Sequence, residues 1–168
     1  HIERKANQYW IPFYWLDGNH DNHMLLWDKY KEADYHNDGF LTIRDFVYYA
    51  PRGQSWTWQG KKFLTVGGAY SVDINRRTVG RSWWPTESID NDDVAKASAV
   101  GKVDILLTHD VPSGVDVSKH FYLQRAVFLK GIRECERERL QLRKVAEAVQ
   151  PEIIYHGHYH LRYNDFLT

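Results

Sequence analysis

Three polar clusters in this sequence carry most of the residue types that bind metal ions or move protons. Each cluster directly follows a short apolar run of the kind that forms a buried strand. The clusters are DGNHD at 17–21, THD at 108–110 and HGHYH at 156–160. Because ligands gather at the carboxyl ends of strands in α/β sheets, we expect the three clusters to meet in one pocket.

The donor atoms in these clusters are imidazole nitrogens, carboxylate oxygens and the amide oxygen of Asn19. They contain no sulfur, since the only cysteine is Cys135, within a charged stretch that has the pattern of a helix. A mixed nitrogen and oxygen set suits Mn, Fe or Zn ions and excludes a thiolate zinc site within one chain. His158 and His160 lie two positions apart, so a bend in the backbone would let them face two adjacent ions.

The elements that must position these clusters follow an α/β pattern. Apolar and β-branched runs predict strands, and stretches with helical periodicity predict helices. The predicted strands are 12–16, 46–49, 55–58, 62–66, 103–107 and 153–155, and the predicted helices are 1–8, a segment capped by Asn22, 89–99 and 121–149. This order predicts one α/β domain over residues 1–168, with helices packed against a mixed sheet.

Composition narrows the class of protein. The 168 residues are 43% hydrophobic and 15% aromatic, which suits a folded domain and argues against a disordered chain. The formal net charge is zero, so no global field attracts nucleic acid. No apolar run is long enough to span a membrane, and nothing in the sequence resembles a signal peptide. Together with the single cysteine, these features predict a cytoplasmic protein that does not bind membranes.

Three short motifs together indicate a family. GNHDN at 18–22, THD at 108–110 and GHYH at 157–160 stand in the order found in the calcineurin-like metallophosphoesterases, which the sequence resembles over its whole length. VGGAYSVD at 66–73 fits the strand between these motifs, and with SWWP at 82–85 it is similar to bacterial and bacteriophage members. The resemblance implies a two-sheet α/β sandwich flanked by helices, with two metal ions at the strand ends.

The resemblance implies a metal ligand at each matching position. Asn19, His109 and His158 would bind one ion, and His160 would bind the other. Two divalent cations, Mn²⁺ first and Fe or Zn as alternatives, would neutralise the phosphoryl oxygens and activate water. The implied activity is hydrolysis of phosphomonoesters or phosphodiesters, with nucleotides and nucleic acids among the candidate substrates.

The resemblance also implies an acid at His20. This side chain would sit over the phosphate, stabilise charge in the transition state and protonate the leaving oxygen, while Asp21 would hydrogen-bond His20 and orient it. A positioned general acid typically accelerates a reaction by about 10²–10⁴-fold, because an alkoxide leaves poorly without a proton.

Two motifs of the family have no counterpart before the first cluster. Asp-x-His and Gly-Asp, on the first two strands, would supply two ligands of one ion and the carboxylate that bridges both. The Asp-x-His tripeptide at 21–23 already belongs to the first cluster, and no Gly-Asp dipeptide occurs. The chain begins at His1, and its only methionine is Met24. We therefore expect a C-terminal portion of the domain that lacks the first strands. By itself it would bind at most one ion weakly, unless a second chain or fragment supplies those strands.

One segment offers a competing interpretation. DYHNDGFLTIRD at 34–45 resembles an EF-hand calcium loop, with Asp34, His36 and Asp38 at the first, third and fifth positions. Asp45 stands where that loop has a bidentate Glu, and the pattern of a strand rather than a helix follows it. A polar turn that opens a hairpin is the simpler interpretation.

Two further alternatives concern function. The chain could be a catalytically inactive binding module without its N-terminal ligands, although the retained His20 and Asp21 serve catalysis more than folding. The tryptophans at 56, 58, 83 and 84 could stack on nucleic-acid bases, or they could pack across strands.

Overall fold

The computed structural model describes residues 2–31, 38–117 and 129–167. Helices α1–α4 and strands β1–β7 occur in this described part of the chain. In chain order they are α1 Ile2–Tyr9, β1 Phe13–Trp15, α2 His23–Lys31, β2 Leu41–Arg44, β3 Val47–Tyr49, β4 Ser55–Trp58, β5 Lys61–Val66, α3 Asn91–Ser98, β6 Ile105–Thr108, α4 Leu129–Val149 and β7 Ile153–Tyr155. Short 3₁₀ helices at Ile74–Arg76 and Pro85–Glu87 precede α3. The arrangement confirms the predicted α/β class with two mixed sheets.

The larger sheet has the strand order β4-β5-β6-β7. Strands β5, β6 and β7 are parallel, with Leu64 opposite Leu106 and Leu106 opposite Ile154, while β4 joins β5 as an antiparallel hairpin. Because parallel strands end at the same edge, the residues that follow β5, β6 and β7 meet there. Two of the three predicted clusters, at 108–110 and 156–160, are therefore neighbours.

The smaller sheet has the order β1-β3-β2. Strand β1 runs parallel to β3, and β2 pairs antiparallel with β3. The first cluster, which follows β1, thus belongs to a different sheet from the other two clusters. The sequence alone did not predict this division.

The main core lies between the larger sheet and helices α3 and α4. Helix α4 contributes an apolar stripe at helical spacing, and the sheet contributes the inward side chains of β5 and β6. The buried cluster consists of Leu64, Val66, Ile89, Ala97, Val103, Leu106, Leu142, Val145, Ala146 and Val149. Burying one such Leu or Val side chain contributes about 1.5–3 kcal/mol, so this cluster anchors the edge on which the polar loops stand.

An aromatic cluster joins the two sheets. The Tyr14 ring, on β1, packs at 4.9 Å from the Trp58 ring, on β4, as measured between ring centroids. Trp56 stacks on Phe63 at 5.4 Å, and Phe40 packs on Trp56 at 4.9 Å. Aromatic pairs of this kind contribute about 0.5–1.5 kcal/mol beyond their burial. The rings of Trp56 and Trp58 therefore pack across strands, which the simpler of the two sequence interpretations predicted.

The candidate calcium loop forms a hairpin where the structure describes it. Residues 34–37 lie outside the described residues. Strand β2 runs from Leu41 to Arg44 and pairs with β3, and Phe46 between them has a φ of 60°. A strand rather than a helix follows Asp45, which confirms the hairpin interpretation.

In the described ranges, no helix combines the length and apolar character needed to cross a membrane.

Candidate active site

The loop after β1 reaches the edge of the larger sheet through a backbone hydrogen bond. The N–H of Gly68, just after β5, donates to the carbonyl of Asp17 at 2.8 Å. Asp17 and Asn19 are buried, and the buried ring of His23 forms a hydrogen bond at 2.9 Å with the carbonyl of Gly18. The first cluster is thereby held against the clusters that follow β6 and β7.

Asn19, His109 and His158 come together at this edge. The Oδ1 of Asn19 lies 3.1 Å from Nε2 of His109, and the rings of His109 and His158 are 5.2 Å apart between centroids. The Nδ2 of Asn19 donates to Oγ of Ser71 at 3.0 Å, which turns the amide oxygen toward the His109 ring. Ser71 lies in the stretch 66–73, and its role as the partner of Asn19 was not predicted from the sequence.

Gly18 permits the close contact between the first two clusters. A Cβ atom at this position would lie 2.5 Å from Cε1 of His109, far inside van der Waals contact. At Gly157, a Cβ atom would meet nothing closer than Nδ1 of His109 at 3.8 Å. The backbone therefore approaches the His109 ring most closely in the GNHD motif, at Gly18, and not in the GHYH motif.

The GHYH loop contains two residues with a left-handed backbone conformation. His158 and His160 have φ values of 64° and 54°, in the left-handed region that side chains other than glycine rarely adopt. Such residues cost about 1–3 kcal/mol each and are concentrated at functional sites. The hydroxyl of Tyr159, between them, donates to Oδ1 of Asp110 at 2.7 Å and ties this loop to the THD motif.

His20 is exposed beside Arg77 rather than beside Asp21. Its Nδ1 and Nε2 lie 3.2 and 3.1 Å from Nη1 and Nη2 of Arg77. The Oδ2 of Asp21 instead accepts a hydrogen bond from the backbone N–H of Gly18 at 2.7 Å. The structure thus lacks the predicted hydrogen bond between Asp21 and His20, because Asp21 closes the turn at 18–21.

The chain matches the family model of the calcineurin-like phosphoesterases over residues 2–162. This protein belongs to the calcineurin-like phosphoesterases. The match covers nearly the whole chain and supports a metal-dependent phosphoesterase, that is, a hydrolase of phosphoric esters. Neither curated proteins nor solved structures gave a match to the chain.

The electrostatics of the two half-buried histidines, His109 and His158, suit the metal-dependent family. Burial lowers the pKa of His109 to about 4, and the neighbouring His158 acts in the same direction. Burial likewise lowers the pKa of His158 to about 4, with His20 and His160 as further contributors. Both imidazoles are neutral at pH 7, which is the state that binds a metal ion.

The predicted ligands of one ion, Asn19, His109 and His158, are all neutral groups. Across residues 2–31, 38–117 and 129–167, no three His, Cys, Asp or Glu side chains lie close enough to hold a metal ion. Asn19, His109 and His158 offer three metal-donor atoms only when the amide oxygen of Asn19 is included with the two imidazole nitrogens. His160 is exposed and contributes to the lowered pKa of His158. The predicted ligands of one ion are gathered, and His160 lies near them.

A buried ion pair supports the first cluster in this phosphoesterase. Oδ2 of Asp17 accepts from Nε and Nη2 of Arg52 at 2.9 and 2.7 Å, and Oδ1 accepts from the hydroxyl of Tyr49 at 2.8 Å. Arg52 also donates to Asp93 and to the carbonyls of residues 86–88. No role for Arg52 was predicted from the sequence. The signal that could have found it is the buried Asp17, which requires a cation.

Proposed function

We propose that this protein hydrolyses phosphoesters at the edge where β1, β6 and β7 end, using two divalent ions and His20 as general acid. The observation that carries the proposal is the 3.1 Å approach of Asn19 Oδ1 to His109 Nε2, with the His158 ring beside them. In the absence of an ion this distance is that of a hydrogen bond from the ring N–H to the amide oxygen, and the same two atoms would be the donors to a metal ion.

The donor set fits a divalent metal ion. An amide oxygen and neutral imidazoles suit Mn²⁺, Fe²⁺ or Zn²⁺, and we propose Mn²⁺ as the first choice. Asn19, His109 and His158 would hold one ion, and His160 would contribute to the other. When bound, the ions would act as Lewis acids that neutralise charge on the phosphoryl group.

His20 is accessible to a substrate, which its role as acid requires. It stands on the exposed side of the loop that carries the buried Asn19. In the proposed reaction, its ring donates a proton to the leaving oxygen. Asp21 supports this arrangement by closing the turn through Gly18, so its effect on His20 passes through the backbone.

Further ligands are needed, and strand β1 offers a place for them. β1 is an edge strand of the smaller sheet, with β3 on one side. Apolar side chains just before this strand are exposed: Trp10 is 77% and Ile11 61% exposed. We propose that two strands outside the described residues, from the same polypeptide or a second chain, pair with β1 and supply the carboxylate ligands. Without them, the chain would bind at most one ion weakly.

The substrate and location are part of the proposal. Nucleotides and nucleic acids are the candidate phosphoesters, and the loops at 83–85 and 113–115 are the candidate selectors. The single cysteine supports a cytoplasmic location.

The test is a hydrolysis assay of the full-length protein with Mn²⁺. p-Nitrophenyl phosphate and bis-p-nitrophenyl phosphate would be compared first, followed by single-stranded DNA and cyclic nucleotides. We expect hydrolysis that chelator abolishes and that His20→Gln lowers by about 10²–10⁴-fold, while His156→Gln has little effect. Failure to hydrolyse any of these esters would defeat the proposal. Full hydrolytic activity of a chain that starts at His1 would show that no added strands are needed.

A further inference from the structure

The guanidinium of Arg77 lies in the candidate site without a role in the chemistry described so far. Its side chain is only 8% exposed, yet its two terminal nitrogens face the exposed ring of His20. The charge of Arg77 also acts on His158, whose pKa is lowered chiefly by burial. The cation therefore contacts the proposed acid and lies close enough to one of the proposed metal ligands to influence its pKa.

The Arg77 side chain is held in place by hydrogen bonds to its own loop. Its Nε donates to Oδ1 of Asp73 at 2.7 Å, and its Nη1 donates to the carbonyl of Ser82 at 3.1 Å. The loop that carries Ser82 is itself closed, because the N–H of Thr78 donates to Oγ of Ser82 at 2.9 Å. A long flexible side chain is thus fixed before any ligand arrives, which reduces the entropy lost on binding.

The front of the guanidinium faces an imidazole and not a carboxylate. In the described part of the chain, Asp73 is the carboxylate that forms an ion pair with Arg77, and it contacts Nε. The terminal nitrogens Nη1 and Nη2 lie against the two ring nitrogens of His20, and only the unprotonated ring nitrogen can accept a hydrogen bond from them. A planar fork with two outward N–H groups matches two oxygens of a phosphoryl group, and such charge-assisted pairs are about twice as strong as neutral ones.

We propose that Arg77 is a substrate-binding residue that grips the phosphoryl oxygens next to His20. The inference rests on the proposed function and names the residue that recognises the phosphoryl group. In the free protein Nη1 and Nη2 contact the His20 ring, with one hydrogen bond to its unprotonated nitrogen. On binding, they exchange this contact for the oxygens of the substrate, and the ring is released to face the leaving oxygen. No covalent bond changes in this step.

The neighbouring Arg76 provides a matched control. It has the same charge, it is adjacent in sequence, and it is exposed. The probe is inorganic phosphate, whose binding to the full-length protein is measured by calorimetry with and without Mn²⁺. We expect Arg77→Met to raise the dissociation constant for phosphate by at least about tenfold, because charged hydrogen bonds are lost, while Arg76→Met changes it less than about twofold.

A purely structural role for Arg77 is tested by Arg77→Lys and by Mn²⁺ affinity. Lysine keeps the charge but not the fork, so we expect partial recovery of phosphate binding, with the same Mn²⁺ affinity in wild type, Arg77→Met and Arg77→Lys. Phosphate affinity in Arg77→Met equal to wild type, equal losses in Arg76→Met, or no recovery in Arg77→Lys would each overturn the inference. If phosphate binding depends on Arg77 but no ester is hydrolysed, the proposed function fails while the assignment of Arg77 stands.

Discussion

Asn19 Oδ1 lies 3.1 Å from His109 Nε2, although Asn19 follows a strand of the smaller sheet and His109 follows a strand of the larger one. The hydrogen bond from Gly68 N–H to the Asp17 carbonyl joins the two sheets next to this pair. The candidate site is therefore built at the seam of the two sheets. Any change that shifts the loop after β1 relative to β6 should separate the pair.

Replacing Gly18 by alanine tests the close packing at this seam. The new Cβ atom would overlap the His109 ring, so we expect His109 to move and Mn²⁺ affinity to fall by about tenfold or more. Gly157→Ala is the matched control, since its Cβ atom would meet His109 at an ordinary 3.8 Å. Calorimetric titration of both variants with Mn²⁺ measures the difference. Equal affinities for the two variants would show that the seam is not tightly packed around the metal.

Replacing Asp17 by asparagine tests the buried ion pair. Arg52 is 8% exposed and would lose its most buried carboxylate partner, keeping Asp93 and backbone carbonyls. We expect a loss of about 3 kcal/mol in the free energy of unfolding, measured in urea. Lys61→Met is the control, because Lys61 pairs with Asp104 at the exposed surface and should contribute much less. Similar losses for both variants would argue against a special role for the buried pair.

The low pKa values of His109 and His158 predict metal binding at mildly acidic pH. Burial holds both pKa values near 4, so protons do not compete with the ion until the pH approaches that value. We expect Mn²⁺ affinity to change little between pH 8 and pH 5 and to fall steeply below that range. Titrations at several pH values in one buffer system would measure it. A tenfold fall for each unit below pH 6.5 would indicate ordinary, solvated histidines instead.

Glu138 predicts a second pH effect, on stability. Burial raises its pKa from an ordinary value of 4.5 to about 7, and its Oε1 accepts from the N–H of Ile89 at 2.9 Å. The unfolded chain loses this proton at lower pH than the folded protein does. The stabilisation is therefore complete below pH 4.5 and is lost as the pH rises through 7.

The Glu138→Gln variant isolates this effect, because glutamine still accepts the hydrogen bond from Ile89 but cannot ionise. We expect its unfolding free energy, relative to wild type, to rise by roughly 2 kcal/mol between pH 5 and pH 8. Urea unfolding at both pH values is the measurement. A difference that does not change with pH would place the Glu138 carboxyl in contact with water.

The sequence predicted which residues form the candidate site better than it predicted the contacts that hold them in place. The family resemblance implied Asn19, His109 and His158 as ligands, and the apolar runs before them predicted that strand ends bring these residues together. The ion pair of Asp17 with Arg52 spans 35 positions and exists only once the two sheets have packed. The sequence around Arg52 contains no information about Asp17, its distant partner.

The environment of His20 could not be predicted for the same reason. Its neighbour Arg77 lies 57 positions away, on a loop whose shape depends on hydrogen bonds among residues 73–83. Asp21, adjacent in sequence, was the expected partner, but its carboxylate is used locally by Gly18. The motif identified residues that are adjacent in sequence, while the long-range contact with Arg77 determined which group touches His20.

The central claim is that Asn19, His109 and His158 bind a divalent ion together. Nuclear magnetic resonance with substoichiometric Mn²⁺ tests it most directly, because paramagnetic broadening reveals even weak binding at the level of single residues. The account predicts that the side-chain amide of Asn19 and the ring signals of His109 and His158 broaden first, well before those of His156. Broadening centred on another part of the chain, such as residues 38–45, or spread evenly over all histidines, would contradict it.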